Sequence, residues 1–181
     1  MKAVFLDRDG VINRKAPEGR YISRWAEMRF LPDVFSSVLH LQQLGFKIII
    51  VTNQRGVALR RVSLADLEDI HARMKTRFAQ SGVSISAIYF CPHDISENCL
   101  CRKPKPGMLI QAAADHALDL SSSWMIGDAS SDIRAGATAG CRTARILSES
   151  LVQSNDPVAD VFAPDLPSAV RNILQLLGPR R

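Results

Sequence analysis

Short apolar runs that stop abruptly at polar residues constrain this chain more than any other feature. The first is Ala3-Val4-Phe5-Leu6, which breaks at Asp7-Arg8-Asp9-Gly10. Further runs are Phe46–Val51, Ile85–Phe90 and Trp124–Gly127, and the residues that follow them are Thr52-Asn53-Gln54-Arg55, Cys91 and Asp128. Continuous apolar runs of this length, rich in branched side chains, suit strands buried on both faces of a parallel sheet. Helical signals fill the intervals. Pro32 precedes an apolar series at Val34, Val38, Leu39 and Leu41 that ends near Gly45. Ser63 with Asp66 opens a helix carrying Leu67, Ile70, Met74 and Phe78 on one stripe, and Pro106-Gly107 opens another that runs to about Leu118. A small-residue helix spans Ile133–Ala139, short strands lie at Thr143–Leu147 and Val161–Phe162, and a final helix covers Pro167–Leu177. Ser148–Asp156 reads as a flexible surface loop and Gly178–Arg181 as a frayed end. Strand and helix alternate throughout, which predicts an α/β fold: a doubly wound parallel sheet with helices on both faces.

The 181 residues are 46% apolar, enough for one globular domain with a real core. No internal repeat or linker divides them, so residues 1–181 are expected to form a single domain. No apolar stretch is long enough to cross a bilayer and Met1-Lys2 lead straight into the first strand, so the expected location is the cytoplasm, with no membrane partner. Net charge is +5, but the cations are scattered through loops and aromatic residues make up only 6%. That pattern favours a small anionic substrate over nucleic acid, and a monomer is expected.

In a parallel sheet the strand ends share one edge, so polar sets distant in sequence converge there. Asp7 and Asp9, two residues apart on an extended chain, point to the same side, and their mutual repulsion implies a divalent cation, most simply Mg²⁺. Taken alone, this pair also fits a solvated acidic turn. The order Asp, Thr, Lys, Asp along the chain gives it a chemical meaning. Asp7 is placed to attack phosphorus and Asp9 to protonate the leaving alkoxide and then deprotonate water. Thr52 would hydrogen-bond phosphate oxygens, Lys103 would supply a fixed positive charge, and Asp128 would join Asp7 and Asp9 around Mg²⁺.

A second cluster is Cys91-Pro-His93, five residues, then Cys99-Leu-Cys101. Four soft ligands in one loop, residues 91–101, in a chain without an export signal suit a tetrahedral, structural Zn²⁺ rather than disulfides. Such an ion would order a polar loop and bring Arg102 and Lys103 out toward the phosphate. Cys141 stands apart and reads as a small core residue.

DRDG at Asp7–Gly10, VTNQ at Val51–Gln54, Lys103 and GDASSD at Gly127–Asp132 resemble the four motifs of the haloacid dehalogenase (HAD) superfamily phosphatases, over nearly the whole chain. The resemblance implies a HAD-like fold and Mg²⁺-dependent hydrolysis of a phosphomonoester through an aspartyl-phosphate on Asp7. CPH…CLCRKPKPGM, with TNQRGVA upstream, is similar to the subfamily that contains heptose-bisphosphate and histidinol-phosphate phosphatases. KPKPGM and Gly56-Val57-Ala58 favour the heptose type, removing the C7 phosphate of a heptose 1,7-bisphosphate. The short His93–Cys99 spacing looks more like the histidinol type. A zinc-stabilised binding module without activity is the remaining alternative. By family analogy Asn53, Gln54, Arg55, Arg102 and Tyr21 contact substrate. Ala129 stands where heptose enzymes carry a basic residue, which removes one expected contact. The insertions after Asn13 and Gly56 are too short for a cap domain, so the site is expected to be uncapped.

Overall fold

A computed structural model describes residues 1–147 and 157–178. The expected loop at Ser148–Asp156 and most of the frayed carboxyl end lie outside the described residues. Six strands form one parallel sheet: β1 (Ala3–Leu6), β2 (Lys47–Asn53), β3 (Ile85–Cys91), β4 (Trp124–Gly127), β5 (Arg142–Ile146) and β6 (Val161–Ala163). Their spatial order is β3-β2-β1-β4-β5-β6, and every pairing is parallel. Five α-helices accompany them: α1 (Val34–Gln43), α2 (Leu64–Gln80), α3 (Gly107–His116), α4 (Ser130–Ala139) and α5 (Leu166–Leu177).

The two-residue period of a strand sorts the core into two halves. Val4, Leu6, Ile48, Ile50 and Ile126 face α1, α2 and α5, meeting Val38, Leu41, Ile70, Met74, Phe78 and Ile173. Ala3, Phe5, Ile49, Val51 and Met125 face α3 and α4, meeting Leu109, Ala112 and Ala135. All four β1 side chains are completely buried. That explains why the run shows no polar alternation, and burying each large one contributes about 1.5–3 kcal/mol.

Elements form where local chemistry permits. Ser63 caps α2, its hydroxyl accepting the Asp66 amide at 3.0 Å. Asp165 does the same for α5 through the Ser168 amide at 2.8 Å, with proline in the first turn. Helix α1 begins at Val34, two residues beyond Pro32, and α4 begins at Ser130, three residues earlier than its apolar period indicates. Single 3₁₀ turns at Trp25–Glu27, Ile95–Glu97 and Leu120–Ser122 have no hydrophobic period to announce them. Between Asn13 and α1 the chain holds only one of these turns and no further helix or strand.

Strand order runs outward in opposite directions from β1 and β4. The crevice beyond their carboxyl ends is where an open α/β sheet takes its ligand.

Candidate active site

Asp7 follows β1, Thr52 is the penultimate residue of β2, and Asp128 follows β4. Lys103 leaves the cysteine loop and reaches into the same crevice. Its ammonium donates to Asp7 Oδ1 at 2.7 Å and to the Val51 carbonyl at 2.8 Å, and lies 2.6 Å from Asp132 Oδ1. Lys103, Asp7 and Asp132 are all buried. The crevice therefore brings together Asp7, Thr52, Lys103 and Asp128.

These surroundings set the charges. Burial pushes the Asp7 carboxyl up to about 6, opposed by Lys103 and reinforced by Asp132 and Asp9. Asp7 is thus ionised at neutral pH yet poorly solvated, a state that favours nucleophilic attack. Burial also works against the charge on Lys103, but Asp132 and Asp7 outweigh it and raise its pKa. Burial raises the Asp128 carboxyl, with Lys15 opposing.

Asp9 is arranged differently. Its carboxylate accepts Arg8 Nη2 at 2.9 Å, Asn13 Nδ2 at 2.9 Å and Gln54 Nε2 at 3.1 Å. Burial resists its charge, but the Arg8 guanidinium and these hydrogen bonds hold the carboxyl below the ordinary range. Among the described residues, Asp7, Asp128 and Asp132 each bring a carboxylate oxygen within 4.8 Å of the others, close enough to share one ion. The carboxylate of Asp9, expected to join Asp7 and Asp128 around the ion, is occupied by these three donors, and Asp132 lies with Asp7 and Asp128. Asp128 Oδ1 is buried without a hydrogen-bond partner. An orphaned oxygen among clustered carboxylates fits a small hard cation such as Mg²⁺.

Gly10 makes the crevice possible. Its φ is +94°, and a Cβ there would collide with the Asp128 carboxylate and the Lys15 side chain. Gly127 is similarly pressed against the Asp132 side chain.

Residues expected to contact substrate have protein partners. Asn53 donates to the Lys103 carbonyl and accepts the Lys103 amide, both at 3.0 Å, so it splints the lysine's backbone. Gln54 bridges Thr52 Oγ1 at 2.8 Å and Asp9. Arg55 pairs with Asp94 at 2.5 Å, tying β2 to the cysteine loop. Arg102 donates weakly to the His93 carbonyl at 3.4 Å. Tyr21 packs over Gly56 and lines a cavity beside the crevice.

Sequence reasoning gave no role to three contributors. Arg8, almost fully buried, donates Nη1 to His71 Nε2 at 3.3 Å while its other nitrogen holds Asp9. The signal was a histidine on the buried stripe of α2. Asp132 was visible as the acid one turn beyond Asp128. Lys15, whose Nζ lies 2.5 Å from Asp128 Oδ2, sits in an irregular loop without any periodic signal.

In the cysteine loop, Cys91 Sγ is 3.5 Å from Cys99 Sγ and 3.6 Å from His93 Nδ1. Cys101 Sγ is 3.2 Å from His93 Nδ1 and 3.4 Å from Cys99 Sγ. No disulfide joins them. Three sulfurs and one ring nitrogen converging on a point are compatible with a tetrahedral zinc site.

Among the described residues no helix is long and apolar enough to cross a membrane. A HAD-hydrolase-like family model matches residues 100–170. The chain is 39% identical over 147 residues to a D-glycero-β-D-manno-heptose-1,7-bisphosphate 7-phosphatase of Helicobacter pylori, covering 81% of this chain and 83% of that protein. It is 33% identical over 177 residues to the protein of that name from Pseudomonas putida, covering 96% and 100%. Among solved structures, a D,D-heptose 1,7-bisphosphate phosphatase from B. bronchiseptica, complexed with magnesium and phosphate, superposes with a TM-score of 0.89. It is 32% identical and the match covers 97% of this chain and 99% of that one.

Proposed function

The chain belongs to the heptose-1,7-bisphosphate 7-phosphatase family of HAD-like hydrolases, and from that premise we infer that it removes the C7 phosphate of D-glycero-D-manno-heptose 1,7-bisphosphate. The observation that carries the reading is the grip of the buried Lys103 ammonium on Asp7, 2.7 Å away, beside a cation-ready group of acids.

In this reading Asp7 attacks phosphorus with the carboxylate oxygen that Lys103 does not hold, forming an aspartyl-phosphate that water then hydrolyses. Lys103 keeps Asp7 ionised and aimed, and stays charged because two carboxylates face it. Thr52, fixed by Gln54, presents its hydroxyl to the phosphoryl oxygens. Asp9, held as an anion, is suited to take a proton from the attacking water. To donate a proton to the leaving alkoxide it must first gain one against Arg8, Asn13 and Gln54. Asp7, Asp128 and Asp132 are the residues that would hold Mg²⁺, and a bound Mg²⁺ would neutralise charge between nucleophile and phosphate. Cys91, His93, Cys99 and Cys101 would hold a structural Zn²⁺ that fixes the loop carrying Arg102 and Lys103.

Phosphate release measured with Mg²⁺ present tests this. Asp7→Asn is expected to lower kcat on the order of a thousandfold or more. Equal rates for wild type and variant would leave a binding module instead. Comparing kcat/KM for heptose 1,7-bisphosphate and histidinol phosphate decides the substrate.

A further inference from the structure

Arg8 stands between Asp7 and Asp9 in the chain, and only 1% of it is exposed. Among the described residues its guanidinium meets two side chains. Nη2 spans the Asp9 carboxylate, 2.9 Å from Oδ2 and 3.2 Å from Oδ1, and Nη1 lies 3.3 Å from His71 Nε2. The third nitrogen, Nε, is buried without a partner. Asn13 and Gln54 each hold one oxygen of Asp9, so Arg8 is the donor that reaches both and fixes the plane of the carboxylate. A guanidinium tied to Asp9 alone would follow that carboxylate wherever it turned. His71 is the second point that stops it.

His71 is itself held in place. It lies on the buried stripe of α2, and its ring packs 5.5 Å from that of Phe90 on β3. A guanidinium can only donate, so Nε2 accepts and the ring is neutral, with its proton on Nδ1. Burial, then the Arg8 charge, brings the pKa of the imidazole down to about 3, which keeps that acceptor available. Among the described residues Arg8 is its one hydrogen-bond partner. A side chain on a helix two elements away is thus joined to the reaction centre through one buried cation.

We propose that His71 is a positioning residue for the reaction: by anchoring the Arg8 guanidinium from α2, it sets the angle at which Asp9 meets the leaving oxygen. The inference rests on reading Asp9 as the acid of an aspartyl-phosphate mechanism. In the first step of that mechanism Asp7 bonds to phosphorus as the P–O bond to the sugar breaks, and the proton on Asp9 passes to the departing oxygen. A misaimed carboxyl slows that transfer, and only for a leaving group that needs the proton.

The test uses the full chain with Mg²⁺ and two variants. His71→Phe keeps a ring against Phe90 but removes the acceptor, and His71→Gln offers Arg8 a side-chain oxygen. Each is reacted in single turnover with enzyme in excess, and release of the first product is timed for two substrates. Heptose 1,7-bisphosphate loses a sugar alkoxide that must be protonated, whereas 2,4-dinitrophenyl phosphate loses a stable phenolate that need not be. His71→Phe should slow release from the bisphosphate about tenfold or more, and from the dinitrophenyl ester less than about threefold. His71→Gln should recover most of the loss. Both rates come from one preparation, so a shortage of folded protein cancels in their ratio. Equal slowing on the two substrates, unchanged rates in His71→Phe, or a glutamine variant no faster than the phenylalanine one overturns the positioning role and leaves the reaction standing. Wild type that releases neither product overturns the reaction itself, and the role of His71 with it.

Discussion

Two buried side chains decide how the site keeps its charges. Lys103 faces Asp7 and Asp132 with almost no access to water, so its removal strands two carboxylates in a poorly polarisable pocket. Breaking a buried ion pair from one side costs about 3–5 kcal/mol, far more than the pair contributes when intact. Lys103→Ala should therefore lower the unfolding free energy obtained from urea titration by a margin of that size, whereas a surface pair such as Arg73–Asp69 is worth no more than about 0.5 kcal/mol. His71 works through neutrality. Burial, then the nearby Arg8 cation, depresses its pKa from 6.5 to about 3, so the folded protein keeps it uncharged as an acceptor for Arg8. The unfolded chain takes up a proton near pH 6.5 and the folded chain does not until about pH 3. The stabilising effect of neutral His71 is thus complete above 6.5 and is lost as pH falls through that window, at up to about 1.4 kcal/mol per unit. His71→Gln keeps an oxygen for Arg8 and cannot ionise. Its unfolding free energy between pH 6.5 and 4.5 should fall less steeply than that of wild type, and parallel curves would remove His71 as the cause.

Strands and helices were legible to the degree that one physical signal dominated them. The unbroken apolar runs of β1, β2 and β4 could only be buried on both faces, and the Ser63 cap located the start of α2 to the residue. Beginnings set by tertiary contact were not legible. Helix α4 starts at Ser130 because Asp132 accepts the Ala129 amide at 3.0 Å, a bond that no apolar period reports. At the site, the convergence of Asp7, Thr52, Lys103 and Asp128 follows from parallel topology alone. The duties of Asn53, Gln54 and Arg55 do not, because each depends on which loop packs opposite. Asn53 and Arg55 both fasten β2 to the segment carrying Cys91–Lys103, and Gly107 is pressed so close that a Cβ there would strike the Leu100 carbonyl. A loop held at its ends but polar along its length needs an internal staple, and the four soft ligands supply its donors. With zinc held by these four residues, chelation or Cys99→Ser would lower Tm, by about 2–4 °C for each kcal/mol lost in a chain of this size. It should also lower kcat with every acid of the magnesium group intact, because Lys103 follows the last ligand by two residues. Full activity and unchanged Tm in the zinc-free protein would uncouple the two centres.

At the scale of the whole molecule, the sheet gathers its functional acids at one edge, while loops from two sides bring cations over them. Lys15 with Arg14 and Arg20 comes from the segment after β1, and Arg102 with Lys103 and Lys105 from the segment after β3. The chain carries a net charge of +5, and among the described residues no separate cap covers the crevice. An open site gains little from excluding water before its substrate arrives, so attraction of the substrate falls to this field, which reaches beyond contact distance. Such attraction is screened over about 10 Å at 0.1 M salt and about 30 Å at 0.01 M. Chemistry at Asp7 is shielded differently, because the Lys103 pair is buried and scarcely feels added ions. Raising ionic strength from 0.01 to 0.3 M with a non-coordinating salt should therefore raise KM while leaving kcat nearly constant. A bisphosphate carries about twice the charge of histidinol phosphate's single phosphoryl group, so its log(kcat/KM) should fall more steeply with salt. Parallel salt curves for the two substrates, or a loss confined to kcat, would mean that the surrounding cations do not steer substrate and that recognition happens wholly within contact distance.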